Sequence, residues 1–325
     1  MIEILAVEGL PEVVPGDDLG KLIASATELR DGDVVVVAQT VVSKAEGALV
    51  DPEPGEDRAA ARRRIARTEA VRVVCDSPFA LIVQTRHGLV CANAGIDATN
   101  VPGGQLALLP ADPDASARRL RARLAELTGA DVAVIVSDTF GRPWRLGQTD
   151  VAIGASGLRP IRDERGGADR HGMPLEHTVV AVADELATAA DLVRRKASGL
   201  PVVVVRGFER ETDDRAGARS LVRPADEDLF PHGRGWLADA LAADGTAGMT
   251  DMERAIAAGH GACRGLAQIV ERGSTVTVRP LGESAEAGVA VGVATGAVVA
   301  ALLDLGYTAR WRPVDGAATV VDVDR

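Results

Sequence analysis

The sequence predicts a mixed α/β (α+β) fold on three observations. Hydrophobic residues make up 46% of the chain but aromatics only 2%. The core must therefore be built from Val, Ala, Leu and Ile, which suits close-packed α/β layers. Short apolar runs, such as residues 34–38, 132–136 and 200–205, alternate with longer stretches of helical pattern. At 325 residues the chain is long enough for one large domain or two.

Taken in order, residues 2–8 read as a strand, followed by turns at residues 9–12 and 15–18. A helix is predicted over 18–29 with Asp17 or Asp18 as N-cap. Residues 34–38 form a buried strand, and Ser43 and Lys44 follow it in what the residues alone favour as a surface loop. Residues 57–71 read as an Arg- and Ala-rich solvated helix, and 71–75 and 80–85 as strands. His87 reads as a turn residue. A helix over 116–127 takes Asp114 or Ser116 as its cap, and the strand 132–138 follows. Residues 162–176 are polar and glycine-bearing, the composition of a mobile loop or lid. A long Ala-rich helix to Lys196, in which Asp184 and Glu185 face either a metal or solvent, precedes the buried strand 200–205. A boundary is placed near residues 243–250. Beyond it lie helix 251–270, strand 274–279, helix 284–305 and strands 307–312 and 317–323. The apolar run from Ala287 to Leu303 is interrupted by glycines and falls short of the roughly 20 residues of a membrane span, so no membrane partner is expected.

A formal net charge of −11 repels polyanions, so nucleic acid is not expected as a partner. Cys75, Cys91 and Cys263 are far apart in the sequence, indicating neither a zinc ribbon nor a disulfide framework. A reducing cytoplasm fits this usage, and the N-terminus lacks a secretory pattern.

Two stretches carry candidate chemistry. The strand 132–136 delivers Ser137, Asp138 and Thr139, after which Gly141, Arg142, Pro143 and Trp144 oppose any simple continuation. Arg142, Arg145, Gln148 and Asp150 follow closely. A carboxylate and a hydroxyl at a strand end, with two guanidinium groups beyond, suit a metal–phosphate site. A polar turn with a solvated rim is the other reading. The second stretch, Asn93 to Asn100, combines Gly95, the hard oxygen ligand Asp97, Thr99 and Asn100. Ser43 and Lys44 offer a hydroxyl and a point charge for a phosphate, but no Walker loop surrounds them. Arg206 and Gly207, at the end of the strand 200–205, fit a nucleotide edge.

Over residues 1–235 the chain resembles the coenzyme F420-0:L-glutamate ligase family, the γ-glutamyl ligases of deazaflavin biosynthesis. The resemblance rests on ordered motifs: Gly9-Leu-Pro-Glu12, Val42-Ser-Lys-Ala-Glu-Gly47, Ala94-Gly-Ile-Asp-Ala-Thr-Asn-Val101, Leu108-Leu-Pro-Ala-Asp-Pro-Asp-Ala-Ser-Ala117 and Ser137-Asp-Thr-Phe-Gly-Arg-Pro-Trp-Arg-Leu-Gly-Gln148. Val182-Ala-Asp-Glu-Leu-Ala187 and Val204-Val-Arg-Gly-Phe208 continue it.

The resemblance implies a γ-glutamyl ligase-like fold over residues 1–245 with mixed sheets, leaving 246–325 as a small α/β extension. It implies GTP-dependent joining of L-glutamate to the lactyl carboxylate of coenzyme F420-0 through an acyl phosphate. It also implies two magnesium or manganese ions, assisting potassium and a homodimer. Asp97 and Asp138 are implied as ligands of one metal and Thr139 of the second. Leu10, Pro11, Glu12, Val13, Lys44 and Asn100 are implied as GTP contacts, with Ser43, Arg206 and Gly207 as further nucleotide contacts. Arg142 and Arg145 are the candidates for clamping the transferring group. A metal-dependent phosphohydrolase and a non-catalytic GTP-binding regulator are the competing readings. Two departures from the family pattern stand out. Thr40 sits where members often carry Lys, which bears on nucleotide choice. The extension is also too short for the flavin-binding domain that some relatives fuse to the ligase.

Overall fold

Four consecutive valines, Val34 to Val37, are completely buried, and the architecture is built outward from them. In this computed structural model the chain divides into two units, Met1–Val73 with Ser77–Asp228, and Val74–Asp76 with Leu229–Arg325. The structure describes residues 1–76, 80–224, 227–228, 253, 255–256, 267–272, 274–280, 285–304, 306–314 and 318–324. The expected boundary at 245/246 lies outside the described residues.

In chain order the elements are β1 (Glu3–Ala6), α1 (Leu19–Ala26), β2 (Val34–Ala38), α2 (Gln39–Ala45), β3 (Leu49–Val50), α3 (Arg58–Thr68), β4 (Ala70–Asp76), β5 (Leu81–Thr85) and β6 (Val90–Ala92). Then come β7 (Leu106–Ala107), α4 (Pro113–Thr128), β8 (Ala133–Arg142), β9 (Arg145–Ser156), β10 (Arg162–Asp163), β11 (Val179–Val180), α5 (Val182–Arg194) and β12 (Val202–Arg206). The later residues form β13 (Ala267–Arg272), β14 (Thr275–Pro280), α6 (Ala285–Asp304), β15 (Thr308–Val314) and β16 (Ala318–Asp324).

The main sheet has the order β1-β12-β2-β8-β9. The β2–β8 pair is parallel and the other pairs are antiparallel, so the expected mixed sheet is present. Helices cover both faces. Val35, Val37, Val134, Val136, Val202 and Val204 turn to the side of α1, α2 and α4, where they meet Ile23, Val41, Leu120 and Leu124. Val34, Val36, Ile135, Val203 and Val205 turn to the other side and meet Val182, Ala183, Leu186 and Ala187 of α5. A strand buried on both faces has no polar alternation, which is why these segments read as unbroken apolar runs. A smaller sheet, β4-β5-β6, forms a separate core in which Leu81 and Val83 pack against Ala61 and Ile65 of α3.

Asp18 caps α1 by accepting from the Lys21 N–H at 3.0 Å. The cap of α4 differs from the expected one. Asp112, just before Pro113, accepts from Ala115 N at 2.9 Å. Asp114 instead accepts the backbone N–H groups of Ala155 at 2.8 Å and Ala218 at 2.7 Å. A proline at the first helical position fixes the start one residue after the cap, and only tertiary contact shows where the next acid goes.

β8 does not stop at Asp138. A bulge between Val136 and Ser137 lets it continue to Arg142, pairing Thr139 with Asp150 and Phe140 with Thr149. Gly141 to Trp144 therefore lie at the tip of a long hairpin. The expected lid at 162–176 falls within the excursion between the paired strands β10 and β11, held by turn bonds such as Asp169 N to Met173 O at 2.8 Å.

In the second unit the sheet order is β13-β14-β16-β15, all antiparallel. Val291, Ala294, Val298 and Leu302 of α6 pack on Val276, Val278, Val321 and Val323. Residues 267–270, expected as the end of the helix 251–270, belong to strand β13. Ile269 is buried in the core of this unit, and its β-branched side chain suits a strand paired with β14 better than a lone helical turn. Most of the rest of that expected helix lies outside the described residues. Among the described residues no helix is long and apolar enough to cross a membrane.

Gly154 of β9 lies against the start of α4, where a Cβ would stand 2.3 Å from the Pro113 carbonyl oxygen. Backbone cannot yield as a side chain can. Gly154→Ala is expected to lower the unfolding free energy by about 3 kcal/mol, read as a lower urea midpoint at unchanged m-value.

Candidate active site

The parallel pairing of β2 with β8 ends at Ala38, level with Ser137. β12 runs the opposite way and starts at the same edge, Val202 opposite Val37. A cavity of about 320 Å³ opens there, beyond the carboxyl ends of the parallel pair. Its walls come from the Leu10–Val13 loop, residues 38–41 with Lys44, Asp97 with Asn100, Ser137 to Thr139 with Asp150, and the end of α5 with residues 195–201.

Four aspartates, Asp97, Asp138, Asp150 and Asp191, line this space beside Glu12, and the surroundings of the first three differ sharply. Asp150 is completely buried. It accepts the hydroxyls of Ser137 and Thr139, each at 2.8 Å, and the Arg194 guanidinium. Asp97 accepts from the Thr40 hydroxyl and lies 4.0 Å from the Lys196 ammonium. Asp138 accepts from the Thr139 N–H at 2.7 Å and keeps some exposed surface, yet protein atoms crowd it. Burial first, and the Asp97 charge second, push its pKa up to about 8. Burial also pushes the nearby Cys91 thiol up to about 12, with Asp138 adding to the effect. Arg194 is pushed down to about 10 by burial, partly offset by Asp138.

On the opposite wall Lys44 is 4% exposed. Its ammonium donates to Glu12 Oε1 at 2.6 Å and to the Asn100 carbonyl at 3.2 Å. Asn100 has φ 56° and donates its side-chain amide to the Lys196 carbonyl at 3.2 Å. Asp97, Asp138 and Thr139 are the groups able to hold a hard cation, and Lys44, Arg195 and Lys196 supply positive charge.

The structure thus brings Leu10, Pro11, Glu12, Val13, Lys44, Asp97, Asn100, Asp138 and Thr139 to one cavity. It corrects the surface-loop reading of Ser43 and Lys44, which lie buried on α2. Val41 and Val42 of that helix belong to the core and draw the segment inward. Ser43 is outside the lining: it donates to the Leu108 carbonyl at 2.6 Å and accepts from Gln39 at 2.7 Å. Arg206 and Gly207 are not brought to the cavity either. They follow from the far end of β12, about 13 Å along the strand at its usual rise per residue. There Arg206 grips Asp33 with bonds of 2.9 and 2.7 Å. Gly207 passes so close to Met1 that a Cβ would stand 2.2 Å from its carbonyl oxygen. Arg142 donates to Leu146 O at 2.8 Å on the exposed hairpin tip, and Arg145 is exposed beside it. Neither lines the cavity. Asp184 accepts from the Ala152 N–H at 2.8 Å, and neither it nor Glu185 belongs to the lining. His87 sits in a turn facing the Pro110 carbonyl at 3.0 Å, away from this edge.

The sequence reading missed Gln39, Arg194, Arg195 and Lys196, and saw Asp150 only as part of a motif. The available signal was the run Arg194-Arg195-Lys196 closing an Ala-rich helix just ahead of Gly199 and Pro201. Arg195 has φ 47°, a costly conformation for a non-glycine residue and one often found at functional sites.

The raised pKa of Asp138 has a stability consequence in metal-free protein. Between the ordinary carboxylate value, about 3.9, and about 8 the folded state holds a proton that the unfolded state has lost. This contribution therefore falls as pH rises through that window. In chelator, Asp138→Asn is expected to match the parent near pH 4 and exceed it by roughly 2–4 kcal/mol at pH 8. Urea denaturation at both pH values measures this, and an equal difference at both would show ordinary ionisation of Asp138.

The sequence model of the family described as F420-0:gamma-glutamyl ligase matches residues 9–207. The chain is 45% identical over 245 residues to the coenzyme F420:L-glutamate ligase of Methanopyrus kandleri, covering 70% of this chain and 97% of that protein. It is 48% identical over 254 residues to the like-named protein of Halobacterium salinarum, covering 72% and 98%. With that of Methanothermobacter thermautotrophicus it shares 43% over 251 residues, covering 70% and 98%. The relatives are thus matched almost end to end, and the chain belongs to the F420-0:gamma-glutamyl ligase family.

Proposed function

We propose that the chain joins L-glutamate to the lactyl carboxylate of coenzyme F420-0, with GTP supplying the phosphoryl group of an acyl-phosphate intermediate. The observation that carries this reading is the meeting of Asp97, Asp138 and Thr139 with Lys44, Asn100 and the Leu10–Val13 loop in one cavity. A carboxylate is a poor electrophile at neutral pH. Attack of its oxygen on the γ-phosphorus expels GDP and gives the acyl phosphate. The glutamate amine then attacks the acyl carbon, releases phosphate and loses a proton to form the amide. Such transfers depend mainly on positioning and on neutralising charge.

The residues fit divalent magnesium or manganese. Among the described residues no cluster of three or more His, Cys, Asp and Glu side chains is built to cage a metal. Magnesium typically takes only one or two protein carboxylates and fills the remaining positions with water and phosphate oxygens. Burial, and after it the Asp97 charge, raises the Asp138 pKa, a setting that a divalent cation relieves. A metal pair, assisted by potassium, would neutralise phosphate charge when bound. Asp97 and Asp138 would hold one ion and Thr139 the second.

The chain's own groups do the rest. Lys44, fixed by Glu12 and the Asn100 carbonyl, presents one positive charge to the phosphates. Arg195 and Lys196 supply the clamping charge from the rim, the role first given to Arg142 and Arg145. A homodimer acting in the cytoplasm completes the proposal.

The test is to incubate purified protein with coenzyme F420-0, GTP, L-glutamate and manganese and to weigh the product. A mass gain of one or more glutamyl units is expected. GTP turnover that ignores glutamate would mark a phosphohydrolase, and GTP binding without product a regulator. Asp138→Ala is expected to cut ligation by at least about a hundredfold with an unchanged far-UV circular dichroism spectrum. Lys44→Ala is expected to raise the KM for GTP about tenfold or more.

A further inference from the structure

Asp150 is completely buried, and both of its carboxylate oxygens accept hydrogen bonds. Oδ2 accepts from Ser137 Oγ and from Arg194, and Oδ1 accepts from Thr139 Oγ1 at 2.8 Å. An ionised carboxylate only accepts, so the Thr139 hydroxyl must spend its proton on Asp150. The oxygen of Thr139 then keeps its lone pairs for whatever lies in the cavity. Arg194, at the end of α5, secures this orientation. It is 8% exposed, its Nη2 also reaches Ser137 Oγ at 3.1 Å, and its buried Nη1 has no hydrogen-bond partner among the described residues. A buried ion pair with an unsatisfied donor is a poor device for stability, which makes a functional reason for it worth testing. Both residues line the cavity, but Asp150 is completely buried and Arg194 nearly so. We propose that Asp150, locked by Arg194, is a positioning residue that aims the Thr139 oxygen at a divalent cation. This rests on the metal reading of the cavity given above.

The test is Mn²⁺ binding to purified protein without nucleotide, read from the electron paramagnetic resonance signal of free Mn²⁺. Asp150→Asn and Thr139→Val are each expected to weaken binding by about 10- to 100-fold, as loss of an outer-shell partner commonly does. The double variant is expected to bind no more weakly than Thr139→Val alone, because Asp150 acts only through that hydroxyl. Thr139→Ser, which keeps the hydroxyl, is expected to bind like the parent and to remain sensitive to Asp150→Asn. Should Asp150→Asn fail to fold with Arg194 left unpaired, the pair Asp150→Asn with Arg194→Leu carries the same comparison. Unchanged affinity in Asp150→Asn, or losses that multiply in the double variant, would overturn the positioning role. Asp138→Asn separates the two levels. If it too leaves Mn²⁺ affinity unchanged, the metal reading itself falls. If it alone loses affinity, only the role of Asp150 falls.

Discussion

The parallel pairing of β2 with β8 is the constraint on which the rest depends. Over the stretch where they pair, both strands are apolar up to Ser137 because helices cover the sheet on both faces. Such strands cannot carry unpaired polar side chains within the sheet without a large desolvation cost. Chemistry is therefore confined to their ends. Because Ala38 and Ser137 finish level with each other, the residues just beyond, Gln39-Thr40 and Asp138-Thr139, arrive at one place. β12, starting at the same edge, brings the basic end of α5 to join them.

The cavity then separates acids of the same chemical type by what surrounds them. Asp150 has two hydroxyls and a guanidinium and is anchored as an anion. Asp138 has one backbone N–H, and burial first and the Asp97 charge second hold its proton to about pH 8 in the absence of added charge. The contrast is one of partners rather than of residue identity. It leaves Asp138 a protonated acid that a bound cation would ionise, while the Asp150 carboxylate behind it is neutralised by Arg194. Thr40 belongs to the same balance. Its hydroxyl goes to Asp97, and Lys196, 4.0 Å from the same carboxylate, provides the nearby cation.

Some placements were beyond any reading of sequence spacing. Arg206 sits after an apolar run just as Ser137 and Asp138 do, but β12 is antiparallel to β2, so its end points to the opposite side of the sheet. Arg142 and Arg145 follow the site motif directly. A bulge and a two-residue turn nevertheless carry them out along a hairpin. Ser43 is next to Lys44, yet on a short helix adjacent side chains diverge by about 100°, so one faces the cavity and the other the Leu108 carbonyl.

The sequence by itself determined the chemistry available and the family. Valine-rich runs predicted strands buried on both faces, and ordered motifs over two thirds of the chain identified the ligase resemblance with Asp97, Asp138 and Thr139 in view. Those features survive in one dimension because periodicity and local motif are properties of neighbouring residues. Only the tertiary structure decided which polar groups share the cavity. Strand direction selects the sheet edge, and contacts such as Arg194 with Asp150, 44 residues apart, exist only once the core has closed.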